Sequence, residues 1–149
     1  MNGSFEREFA EIQVEMINLI WEYCEQRVQK LYICLIQNGN TYSGNFCFKI
    51  NNRIYSRKFQ DQGNSYNINK CEDNQRSILK HLNNSWKKLQ NLYKGYEMEI
   101  PSIIKIEYNA ETKGVTETLS FDELYTSEDS GINEPFDIWL EEIKAEDEE

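Results

Sequence analysis

The feature that most restricts the fold is a repeated change of hydrophobic period. Between residues 5 and 27, apolar side chains recur at steps of three and four: Phe5, Phe9, Ile12, Met16, Leu19 or Ile20, and Tyr23. A second stripe, Ala10, Val14, Ile17, Trp21 and Cys24, widens that face. The spacing predicts a helix over 5–27 that is buried on much of its circumference. Ser4 is placed to cap it, with Glu6 and Glu8 favourable in the first turn.

From Lys30 the period drops to two. Lys30 to Gln37 is a β-branched and aromatic run, closed by the turn signal Asn38-Gly39-Asn40. Phe46, Phe48 and Ile50 then alternate with Cys47 and Lys49. Asn51-Asn52 tolerates positive φ and suits a two-residue hairpin, so Arg53 to Phe59 is the expected return strand of a three-stranded antiparallel meander.

Residues 60–72 form a polar stretch, and helical spacing resumes over 73–97. Ile78 or Leu79, Leu82, Trp86, Leu89, Leu92 or Tyr93, and Tyr96 make one apolar face, opposite Lys80, Lys87, Lys88 and Lys94. Asp73 is the candidate N-cap, and Pro101 ends the element. Strands are expected from Ile103 and over Val115 to Phe121, with a turn at 109–114 between them. Asn133 and Pro135 mark a last short helix bearing Phe136, Trp139, Leu140 and Ile143. The order α-β-β-β-α-β-β-α predicts an α+β fold: an antiparallel five-stranded sheet packed against two long helices, with a short C-terminal helix. Residues 1–149 read as a single domain, of which 122–149 is an acidic C-terminal segment.

The 149 residues carry a formal charge of −10, unevenly spread. Residues 1–110 hold 14 Lys/Arg and 12 Asp/Glu, whereas residues 111–149 hold 2 and 14. All the excess acid is in the last quarter of the chain, which argues against direct contact with nucleic acid. The longest apolar run, Leu31 to Ile36, falls far short of the roughly 20 residues of a membrane span. The charged N-terminus has no signal core, so the cytoplasm is the expected compartment.

Catalytic chemistry leaves little trace. The single histidine, His81, lies within the second helix, and no phosphate loop or dinucleotide fingerprint is present. Cys24, Cys34, Cys47 and Cys71 form no Cys-x-x-Cys pair, and Cys34 and Cys47 read as small buried hydrophobes in strands. Glu128-Asp129-Ser130-Gly131 with Asn133 only faintly resembles a calcium loop. No catalytic residue, metal or cofactor is assigned. A small carboxylate- or metal-dependent enzyme remains the alternative, since paired acids are plentiful.

An acidic surface that includes aromatic anchors can cover the positive cleft of a nucleic-acid-binding protein. The residues that combine negative charge with expected exposure are Asp122, Glu123, Glu128, Asp129, Asp137 and Glu141, joined by Tyr125. Trp139 shares a face with Phe136 and Ile143 and is expected in the core.

Several ordered strings resemble the YezG-like family of bacterial immunity proteins. Lys30-Leu31-Tyr32 opens the first strand after a long helix, and Tyr66-Asn67-Ile68 precedes the second helix. That helix carries a Leu/Trp/Leu face ending near Tyr93, Pro101 introduces a hairpin, and Leu119-Ser120-Phe121-Asp122 closes it. The resemblance covers residues 8–125. It departs at Gln37-Asn38-Gly39-Asn40, where the family's first hairpin is acidic, and in the acidic helix at the end. It implies a cytoplasmic antitoxin that binds a cognate basic nuclease toxin and blocks its active site or substrate-binding surface. Immunity proteins of contact-dependent growth inhibition systems follow the same logic.

Overall fold

A computed structural model describes residues 2–23, 28–39, 41–50, 52–55, 72–122 and 131–148. Helix α1 spans Asn2–Tyr23, and strands β1, β2 and β3 span Lys30–Asn38, Thr41–Ile50 and Arg53–Tyr55. Helix α2 spans Glu72–Gly95, β4 Ile103–Asn109 and β5 Gly114–Ser120. A 3-10 turn at Gly131–Asn133 leads into α3, Glu134–Glu148. All strand pairs are antiparallel, in the order β3-β2-β1-β4-β5. The expected α+β class, the five strands and the meander are therefore present.

Strand β1 sits at the centre, and its alternation supplies two cores. Leu31, Ile33 and Leu35 point to the side covered by α1 and α2, where they meet Met16, Ile20, Leu82, Trp86, Leu89, Ile104 and Ile106. Tyr32, Cys34 and Ile36 point the other way, to Cys47 and to Phe136, Leu140 and Ile143 of α3. The protein is thus three layers: two helices, a sheet, and one helix. Each layer removes an apolar face from water, at about 25 cal/mol per Å².

Helices α1 and α2 pack against each other through an aromatic corner. Phe5 meets Tyr93 edge-on at 5.1 Å and Tyr96 at 5.5 Å. The Tyr96 hydroxyl donates to the Glu8 carboxylate at 2.9 Å. The Lys88–Glu15 pair, 3.3 Å apart, is more than half exposed on both sides and contributes little.

Two capping expectations are corrected. Helix α1 starts at Asn2, which puts Ser4 in its first turn rather than at its cap. Helix α2 starts at Glu72, so Asp73 is also inside. In both cases a polar side chain alone does not fix the boundary, which shifts by a residue or two. The turn expectations hold: Asn52 has φ 62° and Gly39 φ 65°. Strand β3 is described only to Tyr55, and the rest of the expected strand to Phe59 lies outside the described residues, as do Cys24 and Cys71.

Gly44 marks the closest approach of α2 to the sheet. A Cβ there would lie 3.1 Å from Leu82 Cβ and 3.3 Å from Leu35 Cδ2. Among the described residues β3 pairs with Phe48–Ile50, and the Gly44 N–H donates instead to Asn83 Oδ1, at 3.0 Å. Gly44→Ala should push α2 outward and cost about 1–3 kcal/mol by overpacking. Urea denaturation measures it; an unchanged midpoint would place α2 farther from β2.

Cys34 and Cys47 are free and fully buried. Burial pushes the Cys34 thiol up to about 12, although Lys105 acts in the opposite direction. Burial likewise raises Cys47, with Cys34 adding to the effect. Tyr93 is raised to about 12, by burial first and then by the Glu117 carboxylate. All three hold their protons more tightly folded than unfolded. Their contribution to stability is complete below the ordinary values of 9.0 and 10.0 and is lost as pH rises toward about 12. Thermal midpoints should fall across that alkaline window, and less steeply in a Cys34→Ala/Cys47→Ala variant. A slope unaffected by removing both thiols would contradict this assignment.

Candidate functional site

Helix α3 is locked on the sheet by a polar clasp as well as by its apolar face. Asn133, in the turn before it, accepts at Oδ1 from the Ser43 hydroxyl at 2.8 Å and from Asn45 Nδ2 at 2.7 Å. Asn45 is buried in β2, so this bond satisfies a donor that water reaches poorly. Pro135 occupies the first turn, where its missing N–H carries no cost. Glu134 and Asp137 lie in the same turn, where carboxylates complement the helix dipole. Asn133→Ala should cost about 1–2 kcal/mol, because two donors lose their shared acceptor. Hydrogen exchange in α3 should then quicken more than in α2; equal change in both would deny the clasp its local role.

Trp139 belongs to the sheet side, as its spacing suggests. Its ring meets Tyr32 edge-on at 5.6 Å, and Lys105 Nζ lies 5.3 Å from its centroid. The outward side of α3 carries a different set. Glu134, Asp137, Ile138, Glu141, Glu142 and Ala145 line a shallow, open depression of ≈ 580 Å³. Ile138 is 57% exposed in the middle of these carboxylates. Along the whole of α3, seven acidic residues stand against one base, Lys144.

The sequence-derived residues divide into three groups. Asp137 and Glu141 stand one helical turn apart on the outward stripe of α3, the first half-buried and the second exposed. Glu141 is 3.6 Å from Lys144, a pair too exposed to hold it rigidly. Asp122 is exposed just past β5, where its N–H donates to Ser120 Oγ at 3.4 Å. It therefore belongs to the outer sheet edge, not to α3. Glu123, Tyr125, Glu128 and Asp129 lie outside the described residues.

Ile138, Glu134 and Glu142 complete the stripe and are not singled out by the sequence reading. Ile138 falls out of phase with Phe136, Leu140 and Ile143, which is the one signal that it faces away from the core. His81 is exposed on α2. Among the described residues, no three His, Cys, Asp or Glu side chains are grouped to hold a metal ion, and no helix is long and apolar enough to cross a membrane.

No protein-family model matches the chain, and no curated protein matches it significantly.

Proposed function

We propose that this chain is an immunity protein that binds and neutralises a cognate basic nuclease toxin, in contact-dependent growth inhibition or a related secreted system. One observation carries the reading: the outward stripe of α3 concentrates carboxylates around an exposed aliphatic side chain, on a helix fixed to the sheet. Carboxylates fixed in this way present a stable negative field to a basic surface. Such complementarity speeds encounter to as much as ~10⁸–10⁹ M⁻¹s⁻¹ at low salt. Ile138 offers an apolar contact that becomes valuable once water is excluded. Binding over the toxin's active site or substrate groove would then exclude nucleic acid, by bulk and by like charge, inside the producing cell's cytoplasm.

Co-expression of the chain with the toxin encoded beside it tests the proposal. Growth of the producing cells should be restored, and the two proteins should co-purify. Continued killing in the presence of abundant, folded chain would dismiss it.

A further inference from the structure

Strand β5 ends the sheet, and every residue from Gly114 to Leu119 is exposed. Its register against β4 fixes which side chains share a face. Val115, Glu117 and Leu119 lie opposite Tyr108, Ile106 and Ile104, on the side of α1 and α2. Thr116 and Thr118 face the other side. Val115 and Leu119 are 42% and 41% exposed, and Phe121 continues the apolar line beyond the strand. Among the described residues no strand pairs with the outer edge of β5. An open edge of this kind, rich in Val, Thr and Leu, offers a row of backbone donors and acceptors to another chain.

The side chains narrow what that chain can be. The sequence from Val115 to Leu119 is nearly a palindrome about Glu117. An antiparallel second copy centred there would pair Val115 with Leu119 and Thr116 with Thr118, both favourable. It would also set Glu117 directly against its counterpart, and like charges facing across strands are destabilising. Glu117 is fixed in place, since Gln13 Nε2 donates to its carboxylate from α1. That bond leaves other lone pairs free for a second donor. In that register the edge disfavours a copy of itself, and Glu117 suits a strand of opposite charge.

We propose that the β5 edge binds an extended segment of a partner protein as a sixth strand. Lys or Arg of that segment would face Glu117, and aliphatic residues two positions away on each side would cover Val115 and Leu119. Backbone pairing supplies attachment in this mode, and alternate side chains supply selection. The surface is separate from α3, and the inference does not need the partner to be a nuclease.

Two synthetic peptides test it: the Gly114–Ser120 sequence with lysine at the Glu117 position, and the same sequence with glutamate retained. The isotope-labelled full chain is titrated with each at millimolar concentration, and its backbone amide shifts are followed. The lysine peptide should shift and protect the β5 amides, and bind about tenfold more tightly than the glutamate peptide. Raising ionic strength should narrow that gap. Glu117→Gln keeps an acceptor for Gln13 and should abolish the preference without unfolding the protein; its amide spectrum checks the fold directly. Equal affinity for the two peptides would overturn the proposal. So would perturbation confined to residues outside β5, or no perturbation at all. Self-association of the wild-type chain through β5 would assign the edge to a second copy and likewise overturn it.

Discussion

Trp86→Ala should lower the unfolding free energy by about 3–5 kcal/mol, the range for deleting a large buried aromatic ring. Trp86 is wholly inaccessible to water and lies between α2 and the centre of the sheet. Its Nε1–H donates to the Ile36 carbonyl at 2.9 Å. Removing the ring therefore opens a cavity and takes a hydrogen-bond donor from the Ile36 carbonyl. Domains of this size have about 5–15 kcal/mol in total, so the variant would retain little margin. Trp86→Phe separates the two losses: it keeps much of the volume and abandons the hydrogen bond, and should cost about 1–3 kcal/mol. Urea denaturation of the three proteins supplies the comparison. A Trp86→Ala variant within 1 kcal/mol of wild type would mean that α2 does not pack on the sheet as described.

Reversing charge on α3 should have the largest effect on binding. Asp137→Lys with Glu141→Lys should slow association with the proposed basic toxin partner by about ten- to a hundredfold at low salt, and flatten the dependence of the rate on ionic strength. The effect of Glu141→Lys on folding should be small. Glu141 is exposed and its pair with Lys144 is solvent-screened, so its loss costs little. Asp137 sits in the first turn, where a cation instead of an anion costs about 0.3–1 kcal/mol through the helix dipole. Stopped-flow association rates, beside thermal melts of the free variants, separate the two effects. Rates equal to wild type would remove the outward face of α3 from the interface.

Much of the fold could be read in the sequence because periodicity is a local property. The stripe from Phe9 to Ile20, the alternation of β2 and the face from Ile78 to Tyr93 each declare one element and its buried side. What the strings do not state is which faces meet. The run Leu31 to Ile36 held a clue, since a strand apolar at every position must be covered on both sides. That pattern foreshadowed a third layer, and α3 supplies it through Phe136, Leu140 and Ile143.

The candidate site was harder to read. Charge asymmetry pointed to the C-terminal segment, but exposure depends on the phase of a helix against a sheet far away in sequence. Ile138 illustrates this: its phase against Phe136, Leu140 and Ile143 is a slight hint, and the packing of α3 on the sheet decides that it meets solvent. The clasp of Asn133 on Ser43 and Asn45 joins residues 90 and 88 positions apart, and no local signal announces it. Nor does sequence alone reveal that β5, rather than another strand, is left at the edge beside β4.

Hydrogen exchange of the chain with and without the proposed toxin partner tests the central claim most directly. Amides of α3 between Glu134 and Ala145 should exchange more slowly in the complex, while the face of α2 bearing Lys80, Lys87, Lys88 and Lys94 stays as in the free protein. Protection confined to that lysine face, with α3 exchanging as before, would contradict the account.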